Sequence, residues 1–352
     1  MALIQGFPFL FGCGKNELFI INIFINLFFW IATSVFIFKI LNVYLNKKKA
    51  FLISSMNLVL IGSAICVFDL LAENIYIFFI VLAIFFLQKH YTTYQFKYLA
   101  FCLSILVFSM LIKPGSKLLA LCFVIFYFRQ LIRNYKQKSM SFFYASWMLV
   151  MFQCYSVKQH YGDFTISYID SITYYNYLGS KASCLKEGKE LDQSQNPRGE
   201  YFFSLKYDEM GKVAFNDVLN QIENNTFNLV YAYMSDVYDN STAGNTALYY
   251  SVNLKSNSYF ESFKAFFFKV SKWQNRIITF IGFFLAVFLI YKFFRSDKVI
   301  VACSFFVLYT IFLSGISCSQ GDRFHFVFYP FVLILVGKLI SVLTPSSEPL
   351  QK

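Results

Sequence analysis

Ionisable side chains inside or beside apolar segments are costly to keep there, so each is a candidate functional group. Three places in this 352-residue sequence concentrate them. Asp69 and Glu73 sit four residues apart in VFDLLAENIYIFF, a spacing that puts both on one helix face. Lys113 and Lys117 flank Pro114 and Gly115 in MLIKPGSKLLA. Arg323 and His325 lie in CSQGDRFHFVFYP, at the entry to the last apolar segment. Cations of this kind grip a phosphate and stabilise the charge that develops on a phosphate leaving group. Asp69 or Glu73 would bind sugar hydroxyls or orient a base. Lys113, Lys117, Arg323, His325, Glu73 and Asp69 are therefore the candidate substrate- and phosphate-binding residues. A plainer arrangement uses the same groups. Asp69/Glu73 and Lys113/Lys117 would then form a buried ion pair that ties short helices together, or snorkelling caps. His325 reads more readily as an interfacial packing residue than as a catalyst.

Other chemistries have less to stand on. The sequence has no GxGxxG after a strand and no GxxxxGK[ST], so a nucleotide-sugar site is unsupported. FLSGIS is not a GxSxG elbow. Eight cysteines contain no CxxC, and His90, His160 and His325 are far apart, so no metal is expected.

The elements that must position these residues are set by composition. The chain is 57% hydrophobic and 14% charged, against roughly 25% charged in a soluble domain. Mean hydropathy is +0.53. Such a chain is a polytopic membrane protein, and its 47 Phe and 25 Tyr suit lipid-facing and interfacial surfaces. Nine apolar segments follow: about 18–44, 50–68, 75–88, 98–112, 118–132, 141–156, 277–293, 299–317 and 325–343. The expected fold is all-α, with about nine transmembrane helices and one long, mixed extracytoplasmic loop.

Charge sets the sidedness. One set of alternate short segments holds 14 basic residues, among them Lys47, Lys48, Lys49, Arg129, Arg133 and Lys338. The opposite set holds 4: Lys15, Lys113, Lys117 and Arg323. The positive-inside rule puts the first set in the cytoplasm, and nine crossings satisfy that parity. It follows that 1–156 and 277–343 are membrane helices and that 157–276 is an extracytoplasmic unit. The N-terminus lies outside, and 344–352 is a cytoplasmic tail. The net charge of +12 reflects these loops rather than nucleic-acid binding. Within the long loop, the stretch 209–238 has apolar residues at helical spacing, and 261–276 reads as an interfacial helix leading into the next span. Lys113, Lys117 and Arg323 run against the topological bias, which calls for another reason to keep them.

These patterns resemble the membrane-embedded GT-C glycosyltransferases, specifically the bacterial relatives of the dolichyl-phosphate-mannose protein mannosyltransferases and of the aminoarabinose transferase (glycosyltransferase family 39-like). GFPFLFGCGKNELFIINIFINLFFWIATSVFIFKILN is similar to the family's entry into its second long helix, followed by a basic turn at Lys47–Lys49. LLAENIYIFFIVLAIFFL is similar to the outer-side Glu that opens a short helix, here Glu73, with a basic-Pro step after it at Lys113-Pro114. GDRFHFVFYPFVLIL is similar to the Gly-x-Arg-aromatic entry to the last helix, with Arg323 and Pro330 in place. The resemblance implies an enzyme of the cell membrane that takes a sugar from a polyprenyl phosphate and places it on an envelope glycan, lipid or protein acceptor. The donor is a substrate, and no other cofactor is implied. The family's general base lies in a first outer loop that precedes the entry motif. Here the sequence starts at that motif, so the resemblance implies a chain missing its first helix and first outer loop, and the catalytic acid is not assigned. Two further readings are an O-antigen polymerase or ligase, which would carry Arg-rich chemistry in its large loops, and a non-catalytic lipid-carrier transporter or flippase. The last would place polar residues near mid-span across several helices.

Overall fold

A computed structural model describes residues 6–69, 71–254, 256–317 and 320–344. The expected tail is therefore described only at Thr344. Among the described residues there is no strand, and 82% of them are helical. Each of the nine apolar segments is helical. After a short 3₁₀ turn, α1 spans Lys15–Leu41. Next come α2 (Lys47–Ser55), α3 (Ile61–Ile65), α4 (Glu73–Thr93) and α5 (Phe96–Ile112). They are followed by α6 (Lys117–Phe126), α7 (Phe128–Arg133) and α8 (Met140–Tyr161). Among the described residues, five helices are long and apolar enough to cross a membrane, or six when the bent pair Lys47–Val59 and Ile61–Phe68 counts as one span. The protein is an all-α, multi-pass membrane protein.

Local chemistry explains the breaks. The bend of 59° falls at Leu60, where Gln274 accepts from the Ile61 amide at 2.9 Å and donates to the Val59 carbonyl at 3.3 Å. One amide side chain thus satisfies both groups that the break exposes. Helix α5 ends at Ile112 because Lys113 precedes Pro114, which excludes the helical region there. Lys113 accordingly turns to an extended conformation, φ −134° and ψ 103°.

The region 157–276 is helical, where a mixed structure was expected. Its helices are α9 (Ile169–Thr173), α10 (Ser180–Lys186), α11 (Pro197–Ser204), α12 (Tyr207–Asn224), α13 (Thr226–Thr242) and α14 (Thr246–Tyr250). The stretch expected as one amphipathic helix is two. The break is at Asn225, whose side chain donates to the Ala182 carbonyl at 3.0 Å. Conversely, 261–276 is no separate interfacial helix: α15 runs unbroken over Phe260–Phe293. The chain closes with α16 (Lys298–Leu313) and α17 (Tyr329–Leu343).

One large apolar core joins α1, α4, α5, α15, α16 and α17. Two small cores, around Tyr175, Phe202 and Met210 and around Leu178, Ala182 and Ala232, belong to the 157–276 region. That region sits on one end of the bundle. Tyr233 donates to the Phe312 carbonyl at 2.6 Å, and Asn240 donates to the carbonyls of Ser314 and Ser317 at 2.9 and 2.7 Å.

Lys181 ties α10 to α13 through Asp236 at 2.5 Å and Asp239 at 3.3 Å. Burial pushes the Asp236 carboxyl up from 3.8 to about 6, with Lys181 pulling the other way. The folded form therefore holds this proton more tightly than the unfolded chain does. Asp236 favours the fold most below about pH 4, and that contribution is lost as pH rises to about 6. Amide hydrogen exchange in α10 and α13, taken relative to the free-peptide rate at each pH, is expected to quicken over this window. In Asp236→Asn the slope should vanish, and an unchanged slope would assign it to another group.

Candidate functional site

The candidate site is built where the Glu73 end of α4 meets the entry to α17. Glu73 is the first residue of its helix, where a carboxylate is favoured by the helix dipole, and it is 1% exposed. Its Oε1 accepts from Arg323 Nε at 2.8 Å and from Lys113 Nζ at 3.4 Å. Oε2 is buried without a hydrogen-bond partner among the described residues. The Lys113 ammonium also lies 5.0 Å from the Phe324 ring centroid and 5.8 Å from that of Tyr76. Two cations from opposite ends of the sequence thus converge on one buried carboxylate oxygen.

Arg323 reaches this point from the short 3₁₀ turn Gly321–Arg323. Gly321 has φ +59°, and a Cβ there would meet the Gly244 carbonyl at 2.7 Å, so only glycine fits. Asp322, 1% exposed, accepts from Asn245 Nδ2 at 3.2 and 3.4 Å. Gly62 lets α3 come close to it: a Cβ there would stand 2.9 Å from Asp322 Oδ2. Thr246 donates to the Gln320 carbonyl at 2.6 Å and fixes the turn to the 157–276 region.

Arg323, Asp322, Asn245 and Thr246 border a cavity of about 280 Å³ that Asp69 and Tyr250 also line, and Arg323 is the member of the Glu73 cluster that reaches it. The Arg323 side chain is 39% exposed there, while that of Glu73 is 2% exposed. The wall thus presents a guanidinium, two carboxyls, an amide and a phenol, a set suited to a phosphate bearing a polyhydroxylated group. Burial, then the nearby Glu73 charge, pushes the Asp69 carboxyl above its ordinary range, and Arg323 opposes this.

The six expected residues do not all meet. Glu73, Lys113 and Arg323 form the cluster, and Asp69 joins it across the cavity. Asp69 and Glu73, however, do not share a helix face. Asp69 is extended, φ −101° and ψ 148°, and its carbonyl accepts from Asn26 Nδ2 at 2.9 Å, so α4 begins only at Glu73. Lys117 turns away and pairs with Asp170 of α9. His325 is fully buried between two hydroxyls, Thr279 Oγ1 at 2.8 Å and Ser314 Oγ at 3.2 Å. It joins α15 to α17 behind the site rather than facing the cavity. Of the expected pairings, Glu73–Lys113 forms and Lys117 finds another partner.

Sequence reasoning passed over Asp322 and Asn245. The signal for Asp322 was present, since it is an acid at the mouth of an apolar segment. Asn245 is one of many polar residues in its region, and nothing in its spacing marks it. Among the described residues, no group of His, Cys, Asp or Glu could hold a metal ion.

The class of protein these features define is a multi-pass membrane protein with a polar, partly charged cavity at one end of its bundle. Comparison with models of known protein families, with curated proteins and with solved structures gives no match.

Proposed function

We propose that this protein is a GT-C-type membrane glycosyltransferase that crosses the membrane nine times, with its N-terminus and 157–276 on the extracytoplasmic side and its C-terminus in the cytoplasm. It transfers a sugar from a polyprenyl phosphate to an envelope glycan, lipid or protein. The observation that carries this reading is the convergence of Lys113 and Arg323 on Glu73 beside a cavity at one end of the bundle. In this reading Arg323 and Lys113 hold the donor phosphate, and Glu73 positions both cations. An acceptor oxygen attacks the anomeric carbon as the bond from that carbon to the phosphate oxygen breaks. The electron pair leaves on the phosphate, where the cations stabilise it. The acceptor's proton passes to a carboxylate of the cavity wall, for which Asp69 is the candidate. The lipid tail supplies binding through the bilayer, so no nucleotide-binding domain is needed.

A second reading, a lipid-carrier transporter, has one observation in its favour. Asn26, Asn57 and Asn74 are at most 2% exposed within the apolar helices and their bends, and Oδ1 of Asn26 and of Asn57 has no partner among the described residues.

One experiment separates the two. The purified chain is placed in vesicles carrying a polyprenyl phosphate labelled in its sugar, together with envelope acceptors. Transferase activity yields labelled acceptor and free polyprenyl phosphate. Movement of intact labelled lipid between leaflets, with no transfer, would establish the transporter and overturn the enzyme.

A further inference from the structure

A second cavity lies at the other end of the bundle, and the proposed chemistry does not use it. It has a volume of about 400 Å³ and is lined among others by Phe38, Lys39, Asn42, Phe85, Gln88 and Lys89. Its walls are the C-terminal turns of α1 and α4. These helices run parallel: Phe29 meets Phe78, Phe36 meets Phe85, and Gln88 donates to the Ile40 carbonyl at 3.0 Å. That last bond closes the floor with a side chain only 4% exposed.

Both cations rest on the same ring. Lys39 Nζ is 5.8 Å, and Lys89 Nζ 5.7 Å, from the Phe85 centroid, and Lys39 is also 4.8 Å from that of Phe36. Neither has a carboxylate within ion-pair distance among the described residues, whereas Lys338 at the same end has Asp297 at 2.9 Å. A ring face attracts an ammonium but does not neutralise it. Two uncompensated like charges therefore face one cavity and repel until an anion enters.

The position of the cavity says which anion. Both α1 and α4 are long and apolar enough to cross a membrane, so their last turns lie at headgroup depth. Basic pockets between spanning helices at that depth suit anionic headgroups. The rim is greasy on the lipid side, with Val43 43% exposed, which gives an acyl chain a surface to follow.

We infer that this cavity binds the headgroup of an anionic phospholipid from the leaflet at this end, its phosphate held between Lys39 and Lys89. The inference rests on the fold alone and stands whatever the Glu73 site does.

The test uses the full chain in a neutral detergent, with its unfolding temperature followed as phosphatidylglycerol, phosphatidylcholine or inorganic phosphate is added. Phosphatidylglycerol alone should raise it. The variant Lys39→Gln/Lys89→Gln should bind phosphatidylglycerol about 30-fold more weakly. Lys47→Gln/Lys48→Gln, at the same end, should keep the shift. An equal shift with phosphatidylcholine, an equal shift with inorganic phosphate, or an undiminished shift in Lys39→Gln/Lys89→Gln overturns the proposal. Should that variant fail to accumulate, a photoactivatable phosphatidylglycerol on the wild-type chain decides. Crosslinks to the last turns of α1 and α4 support the site, and crosslinks elsewhere refute it.

Discussion

Arg323→Ala should lower sugar transfer from a polyprenyl phosphate by about 100- to 1,000-fold, the usual cost of removing one preorganised donor from developing negative charge. The loss should fall mainly on kcat, because the phosphate carries more negative charge as the anomeric bond breaks than it does in the bound donor. Folding should be little disturbed. Glu73 keeps Lys113 at 3.4 Å, and the lost side chain is 39% exposed. Arg323→Lys should recover part of the rate, since it restores the charge without the planar fork. The measurement is turnover of labelled donor by matched amounts of folded variant. Unchanged turnover in Arg323→Ala would remove this residue from the phosphate and leave it only its ion pair.

The placement of Arg323 and Lys113 together was legible because charge in short loops follows sidedness, and both cations broke the bias in the same direction. The Glu73–Lys113 pair was legible as one of the ion pairs the spacing offered, but that Arg323 shares the same carboxylate was not, since its turn lies 250 residues away in the sequence. Periodicity failed at Asp69. A spacing of four residues puts two side chains on one face only if the helix is continuous, and here Asn26, a residue of another helix, captures the Asp69 carbonyl. It failed again at Asn225 and at 261–276. Helix continuity in those places is decided by what a side chain finds across the fold: Ala182 in one case, an unbroken apolar register in the other. Asn245 and Asp322 show the same limit. Their hydrogen bonds join the 157–276 region to the entry of α17, and a pairing so distant in sequence leaves no local mark. Lys117 could be foreseen as a cation at this end, but its partner Asp170 sits on a five-residue helix with no strong sequence signal.

Glu73→Gln should be the most destabilising single change at the site, and its effect separates architecture from chemistry. The substitution removes the buried member of the cluster and leaves two cations facing each other across a neutral amide. Breaking a fully buried pair by deleting one partner costs about 3–5 kcal/mol, and the cations here are partly exposed, so about 2–3 kcal/mol is expected. Lys113→Met should cost less, because Glu73 retains Arg323 at 2.8 Å and the unbranched apolar side chain fills the same space beside the Tyr76 and Phe324 rings. In Glu73→Gln/Lys113→Met one uncompensated cation disappears with the acid, so much of the stability lost in Glu73→Gln should return. Transfer should not return with it, because Lys113 is then gone from the phosphate. Unfolding temperature in detergent and turnover are read on the same three proteins. If stability and activity recover together in the double variant, the cluster is a structural tie and the phosphate is held elsewhere. If stability recovers while transfer stays low, the cations act on the substrate and Glu73 is the residue that aims them.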